Sequence, residues 1–511
     1  MAESHQWLPS WGASVLVHAV ALLVLGLIYL GTSGKAPPER FEGTLGRLGE
    51  AMESTVLAER AGDPATVGAD ETPSLTFGPV EPAIKVINQP ALPPGVTLAS
   101  TLTPPRIPAM PGLKLSDTVG GRFHIEDITA PFAGRDPETK ARLIRREGGT
   151  IESEKAVQAG LEWIARHQNP DGSWSLDYHA SCAEVPCPDE TPTPSDTAAT
   201  GLGLLPMLGA GHIHTDKESR YRDNVKRGLD YLVSHQGPEG EIYTGGGINY
   251  RFYSHAIAAM ALCEAYGLSK DPKLKLPAQR AINFIAKNQT TSDGGWRYYP
   301  GQAGDTSVLG WQMFALRSAK LAGLDVPKRT IQGCRMFLDM VSADPARTTY
   351  AYTVGREATP IMTAEALLCR QYLGWSVDEP AMRKGAGIVY NHLRESSDRN
   401  IYYWYYATQM LHNLGGKEWV AWNKHIRDGL VSMQVKGNGC DRGSWSPMFP
   451  QPDRWGVRAG RLYLTSLSIL TLEVYYRWLP LYRPIDGETD PKDAREQARR
   501  VEPSKAVRRP K

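Results

Sequence analysis

The sequence predicts an all-α fold: six helical hairpins whose second helices form an inner barrel and whose first helices wrap it, carried behind one transmembrane helix and a Pro-rich linker. Three observations predict it. From residue 150 onward, apolar residues recur at helical intervals in paired segments. The pairs return about every 50 residues, a period that means stacked units burying one another's apolar faces. Three first helices also end in one phrase, "RHQNPDGSW" at 166–174, "KNQTTSDGGW" at 287–296 and "SMQVKGNGCDRGSW" at 432–445.

Taken in chain order, residues 1–10 are a short tip and 11–31, "WGASVLVHAVALLVLGLIYLG", carry no Asp, Glu, Lys or Arg. A helix of that length spans a ~30 Å hydrocarbon layer. A cleaved signal peptide competes, but the apolar run is long and "MAESHQ" before it offers no basic leader. Ser14 and His18 lie one turn apart on one face, and an ionisable group inside lipid marks either a functional contact or a tolerated neutral imidazole. This anchor resembles that of TonB-type energy-transducing proteins, whose Ser-x-x-x-His pair faces a membrane-protein partner and leads into a periplasmic spacer. The resemblance implies a single-pass protein of the cytoplasmic membrane with a periplasmic body, whereas Lys35 and Arg40 after the helix argue weakly for the opposite side.

Residues 32–149 read as a largely disordered linker, with fifteen prolines between 36 and 138 and too little apolar surface to fold. Residues 150–483 are the repeat body, and 484–511 are a charged tail without apolar periodicity. At 511 residues and 41% hydrophobic content the chain can bury a large core. Its net charge of +2 gives no footprint for nucleic acid.

The body opens with "EKAVQAGLEWIARHQ" and then "SDTAATGLGLLPML". "NVKRGLDYLVSHQ" pairs with "YSHAIAAMALCEAYGL", and "AQRAINFIAKNQ" with "GDTSVLGWQMFALRSAKLAGL". Three more pairs follow, ending in "GRLYLTSLSILTLEVYYRWL". The second member of each pair is the more apolar, which places it inside. The ends lack polar capping repeats, which favours closure into a ring with a cavity where inner helix termini converge.

In the recurring phrase, Gln168, Gln289 and Gln434 stand at outer-helix ends, where an amide can donate to carbonyls without intrahelical partners. Glycine permits the reversal, and Trp174, Trp296 and Trp445 cover the turn. The phrase resembles the QW repeat of squalene and oxidosqualene cyclases and the related repeats of prenyltransferase β subunits. It implies an (α/α)6 toroid with its site in the central cavity.

The family's acid is a D-x-D-D cluster, and no D-x-D or Asp-Asp pair occurs in this chain; no D-D-x-x-D is present either. The nearest equivalents are Asp196 and Asp305, each heading an inner helix; as single acids followed by Thr, both read first as N-caps. If a rebuilt site exists, one of them is its acid and His255 its proton partner. The prenyltransferase D-x-C zinc pattern is replaced here by Asp305-Thr306-Ser307. His179, Cys182 and Cys187 match no tight zinc template, so neither metal nor cofactor is expected; Cys182 and Cys187 are also close enough in sequence to pair.

"IYYWYYATQM" places Tyr402, Tyr403, Trp404 and Tyr406 on the fifth inner helix, as cavity wall or as packing between layers. Arg356 and Glu357 are expected as polar company. Two functions remain open: a tethered module binding a lipid, isoprenoid or peptide in the cavity, and an isoprenoid cyclase or transferase with a divergent site. Missing acid and metal motifs favour the first.

Overall fold

A computed structural model describes residues 132–478 of the chain, apart from 178–180, 183–186, 190, 192–193 and 244–249. The expected membrane helix with Ser14 and His18, most of the linker, His179 and the charged tail lie outside the described residues. Among the described residues no strand forms and no helix is long and apolar enough to cross a membrane.

Six hairpins are present among the described residues. The outer helices are α2 (Ile151–Arg166), α4 (Arg222–Ser234), α6 (Pro272–Lys287), α8 (Lys328–Met340), α10 (Pro380–Glu395) and α12 (Gly416–Met433). The inner ones are α3 (Asp196–Gly209), α5 (Arg251–Ser269), α7 (Thr306–Ala322), α9 (Pro360–Tyr372), α11 (Ile401–Leu414) and α13 (Gly456–Leu472). Each inner helix packs on the next, and α13 returns to pack on α3, so the barrel is closed. Burial follows this layering: α6 buries a stripe of Leu274, Ala278, Ala281, Ile282 and Ile285, whereas α5 and α11 are buried on nearly every side.

The body begins earlier than the sequence suggests. A 3₁₀ turn at Ala133–Arg135 and a helix α1 (Pro137–Glu147) precede the first hairpin, capped by Asp136 and burying Leu143. The one proline of this stretch, Pro137, sits at the first helical position, where a helix tolerates it. The end of the chain packs against it, as α14 (Val474–Arg477) contacts both α1 and the 3₁₀ turn.

These two segments close one end of the barrel. Arg135 is buried, donates to the carbonyls of Leu208 (3.0 Å) and Arg477 (3.2 Å), and pairs with Glu264 of α5 at 2.8 Å. Arg477 reaches the other Glu264 oxygen at 3.0 Å and the Tyr405 hydroxyl at 3.0 Å. A carboxylate shared by two guanidiniums repays part of the desolvation that so deep a charge costs. The cavity therefore lies at the opposite end, where the inner helices begin.

The repeated phrase works differently from its expected chemistry. Trp174, Trp296 and Trp445 are wholly buried, and their indole N–H groups donate to the last turns of their own outer helices, at Ile164, Ile285 and Leu430 O, 2.7–2.9 Å away. Glutamine is the bridge instead. Gln168, Gln289 and Gln434 donate to the glycine carbonyl of their own turn and to a carbonyl of the next outer helix: Asn224, Thr330 and Ala156. Because Gln434 of the sixth hairpin reaches Ala156 of the first, the same device that links successive units also closes the ring.

A cavity walled by aromatic residues

Between the N-terminal ends of the inner helices lies a cavity of about 160 Å³. Seven aromatic residues line it: Tyr250 and Tyr253 at the head of α5, Trp311 of α7, Tyr352, Tyr402 of α11, and Trp455 and Tyr463 around the start of α13. Leu176, Ala198, Leu202, Ile257, Ile361 and Met362 complete an apolar wall, and Ser195, Ser254, Ser307 and Thr359 add hydroxyls. Arg454 and Arg458 are its cationic lining residues. α13 breaks at Gly460, whose φ is 81°, so Trp455, Arg458 and Ala459 stand apart from the helix proper and line the cavity. Thr191 occupies the space a Cβ at Gly460 would need, so this break admits glycine on both counts.

Among the described residues no carboxyl or imidazole lines the cavity; Asp305 and Glu365 stand behind its wall. Asp305 is the N-cap of α7, accepting from Val308 N at 2.7 Å. It is fully buried, and burial pushes its carboxyl up to about 7 against the pull of that bond, of Arg297 and of the Tyr352 hydroxyl. Arg297 Nε stands 3.7 Å from Oδ2, too far for a hydrogen bond. Glu365, in the second turn of α9, is also fully buried, and burial holds it well above the usual carboxylate range. Tyr402 Oη lies 3.0 and 2.9 Å from its two oxygens and 2.6 Å from Ser307 Oγ, which accepts from Tyr253 Oη at 2.9 Å. A continuous chain of hydroxyls thus runs from this buried carboxyl to three residues of the cavity wall.

Several expected site residues take other positions. Asp196 is the first residue of α3, not its N-cap, and is half-buried outside the cavity; Ser195 in the cap position bonds Ser254 Oγ at 2.6 Å instead. His255 is no proton partner for either Asp. Its Nδ1 accepts from Ile242 N at 3.0 Å, so Nε2 carries the proton toward Ala281 O at 3.0 Å, and burial lowers it to about 4. Both ring nitrogens are spent on the backbone, which makes this a structural histidine.

The aromatic run of α11 fans out, as a helix requires. Only Tyr402 reaches the cavity. Tyr406 packs behind it on Phe314 and Trp311, and Tyr403 turns outward, donating to Val389 O and standing edge-on to Trp422. Trp404 and Tyr403 border a separate cleft of about 70 Å³ with His392, Asp398 and Arg454. Arg356 and Glu357 sit on an exposed turn whose ends, Tyr352 and Thr359, line the cavity.

Among the described residues, fold and site together define a closed helical toroid with an apolar, aromatic-walled cavity. A family model of the squalene-hopene cyclase C-terminal domain matches residues 146–253, the first hairpin and the beginning of the second. The squalene–hopene cyclase of Bradyrhizobium diazoefficiens is 28% identical over 199 residues, covering 34% of this chain and 28% of that protein. The probable squalene–hopene cyclase of Sinorhizobium fredii is 26% identical over 163 residues, covering 30% of this chain and 23% of that protein. Among solved structures, a type II terpene cyclase from Scytonema in complex with merosterolic acid A is similar at TM-score 0.41 and 12% identity over 63% of this chain and 96% of that one. Over this part of its length the chain is similar to squalene-cyclase-like proteins, and it matches about a quarter of the length of these two cyclases.

Proposed function

We propose that this protein is a tethered binding module that takes a lipid or isoprenoid molecule into the toroid cavity and does not protonate it in the manner of a cyclase. The observation that carries the reading is the lining itself: seven aromatic rings and a set of aliphatic side chains, with the carboxyls of Asp305 and Glu365 set behind that wall. Such a surface desolvates hydrocarbon at about 25 cal/mol per Å² buried, and its few hydroxyls orient rather than bind. A peptide would leave backbone groups without partners there. In this reading the apolar segment 11–31 anchors the module in the cytoplasmic membrane, with the body on the periplasmic side and Ser14 and His18 toward a membrane-protein partner.

One observation favours a second reading, an isoprenoid cyclase or transferase with a divergent site. Burial raises the Glu365 carboxyl well above its ordinary range, and Glu365 is connected through Tyr402 and Ser307 to the cavity. In that reading Glu365 supplies the proton by way of Tyr402, and the rings of Trp311 and Tyr402 face the developing cation.

Incubating detergent-solubilised protein with squalene and with prenyl diphosphates, followed by gas chromatography of the extract, separates the two. Retention of the added isoprenoid without conversion, weakened about tenfold in Trp311→Ala, is the expected outcome. Cyclic product that disappears in Glu365→Gln or Tyr402→Phe would establish the enzyme instead. Product lost in Asp305→Asn or Asp196→Asn would return the acid to the position the sequence suggests. Protease accessibility of the body in spheroplasts tests the side of the membrane separately.

A further inference from the structure

The phrase that ends the first outer helix holds a residue the repeat does not explain. His167, between Arg166 and Gln168, is buried, and its ring stacks on Trp163 with centroids 4.2 Å apart. Its Nδ1 lies 2.7 Å from Trp163 O, a backbone acceptor, so the proton sits on Nδ1 and Nε2 presents its lone pair. That lone pair faces two cysteine sulfurs at once, Cys187 Sγ and Cys440 Sγ, each at 3.3 Å. A third sulfur, Cys182 Sγ, lies 3.3 Å from the backbone N–H of Cys187, and all four ligand atoms fall within 4.8 Å of one another.

Hydrogen bonding alone does not account for this convergence. One imidazole lone pair accepts one good hydrogen bond, not two, and thiols are weak donors. A tetrahedral zinc with Zn–S near 2.3 Å and Zn–N near 2.0–2.1 Å holds its ligand atoms about 3.5–3.8 Å apart, close to the spacing seen here. The surroundings match as well. Histidine ligands of metals ordinarily donate their other ring N–H to a carbonyl, as His167 does to Trp163, and the Cys187 N–H directed at Cys182 Sγ is the contact that favours a thiolate. Three thiolates on one dication leave a net charge of −1. Arg166 Nη2 stands 3.5 Å from Cys440 O, and Arg461 Nε binds Pro188 O, next to Cys187, at 3.1 Å.

We propose that His167, Cys182, Cys187 and Cys440 form a structural Cys₃His zinc site that pins the seam of the ring. The ligands come from two ends of the fold: His167 closes α2, Cys182 and Cys187 lie in the connection from α2 to α3, and Cys440 lies in the turn between α12 and α13. Zinc here joins the first hairpin to the last beside the Gln434–Ala156 bond, and fixes the α2–α3 connection that contributes Leu176 and Ser195 to the cavity wall. Four protein ligands leave no open position, which makes the role structural. The sequence concealed the site because two of its ligands stand within repeat phrases, one at either end of the body.

The test is the metal content of the full chain, purified in detergent without chelator and freed of any affinity tag, measured by mass spectrometry of the element. About one zinc per chain is expected, with cobalt substitution giving thiolate-to-metal charge transfer. Cys187→Ser and Cys440→Ser should lose most of the zinc, and Cys334→Ser, a buried thiol outside the cluster, should keep it. Should the cluster variants fail to fold, X-ray absorption of the zinc-loaded wild-type chain decides: three sulfurs and one nitrogen support the site, and a shell of oxygen and nitrogen overturns it. Wild-type chain free of stoichiometric metal after zinc supplementation, or carrying a Cys182–Cys187 disulfide, also overturns it.

Discussion

At the residue scale, the site turns on carboxyls whose proton affinity burial raises. Asp305 has an ordinary value of 3.8 and stands near 7 in the fold, so between those values the folded protein holds a proton that the unfolded chain has released. Stability therefore falls as pH rises through that window, by about 1.4 kcal/mol per unit at most, and levels off above it. Asp305→Asn keeps a capping oxygen for Val308 N and removes the charge. Thermal melts from pH 5 to 8 should show the variant gaining on the wild type as pH rises; parallel curves would mean that Asp305 is ionised throughout. The sequence exposed Asp305 because a carboxyl preceding a helical run is a local signal. Glu365 carries a fainter signal, as a lone acid within the largely apolar run "TPIMTAEALLCRQYLGW". Tyr253, Tyr352 and Tyr463 were not recoverable as a group, because only ring closure brings their separate elements to one cavity.

At the scale of the element, hairpin number, order and layering were legible, since each rests on periodicity within a few dozen residues. The direction of the motif's hydrogen bonds was not, because the acceptor of each glutamine belongs to a different hairpin. The turn glycines make this interlocking testable. Gly294 has φ 78°, and a Cβ there would stand 2.2 Å from Gly333 O in α8, whereas Gly323, at φ 81°, has open space around it. Gly323→Ala should cost about 1–2 kcal/mol from backbone strain alone. Gly294→Ala should add a further ~1–3 kcal/mol, because a carbonyl of the neighbouring helix must move. Denaturant melts of the two variants compare them directly, and equal costs would mean that outer helices part easily at this turn. Trp296→Ala, which deletes a buried ring and its bond to Ile285 O, should cost about 3–5 kcal/mol in the same measurement.

At the scale of the whole molecule, the boundary between linker and body decides whether the barrel has a floor. Composition places that boundary at 150, because the stretch before it shares the prolines and charges of the linker. The fold places it earlier, since Arg135 pairs with Glu264 inside the barrel and Leu143 of α1 is wholly buried. A chain beginning at residue 150 keeps all six hairpins but removes one of the two guanidiniums on Glu264 and opens the end opposite the cavity mouth. Breaking a buried ion pair costs about 3–5 kcal/mol, since the partner left behind stays desolvated. A chain beginning at residue 132 should therefore melt as one cooperative unit, and one beginning at 150 should melt lower or aggregate. Arg135→Met in the longer chain should reproduce a large part of the loss, because α1 is still present and only the charge is gone. If the two chains melt alike, Arg135 and α1 are passengers on a ring that closes without them.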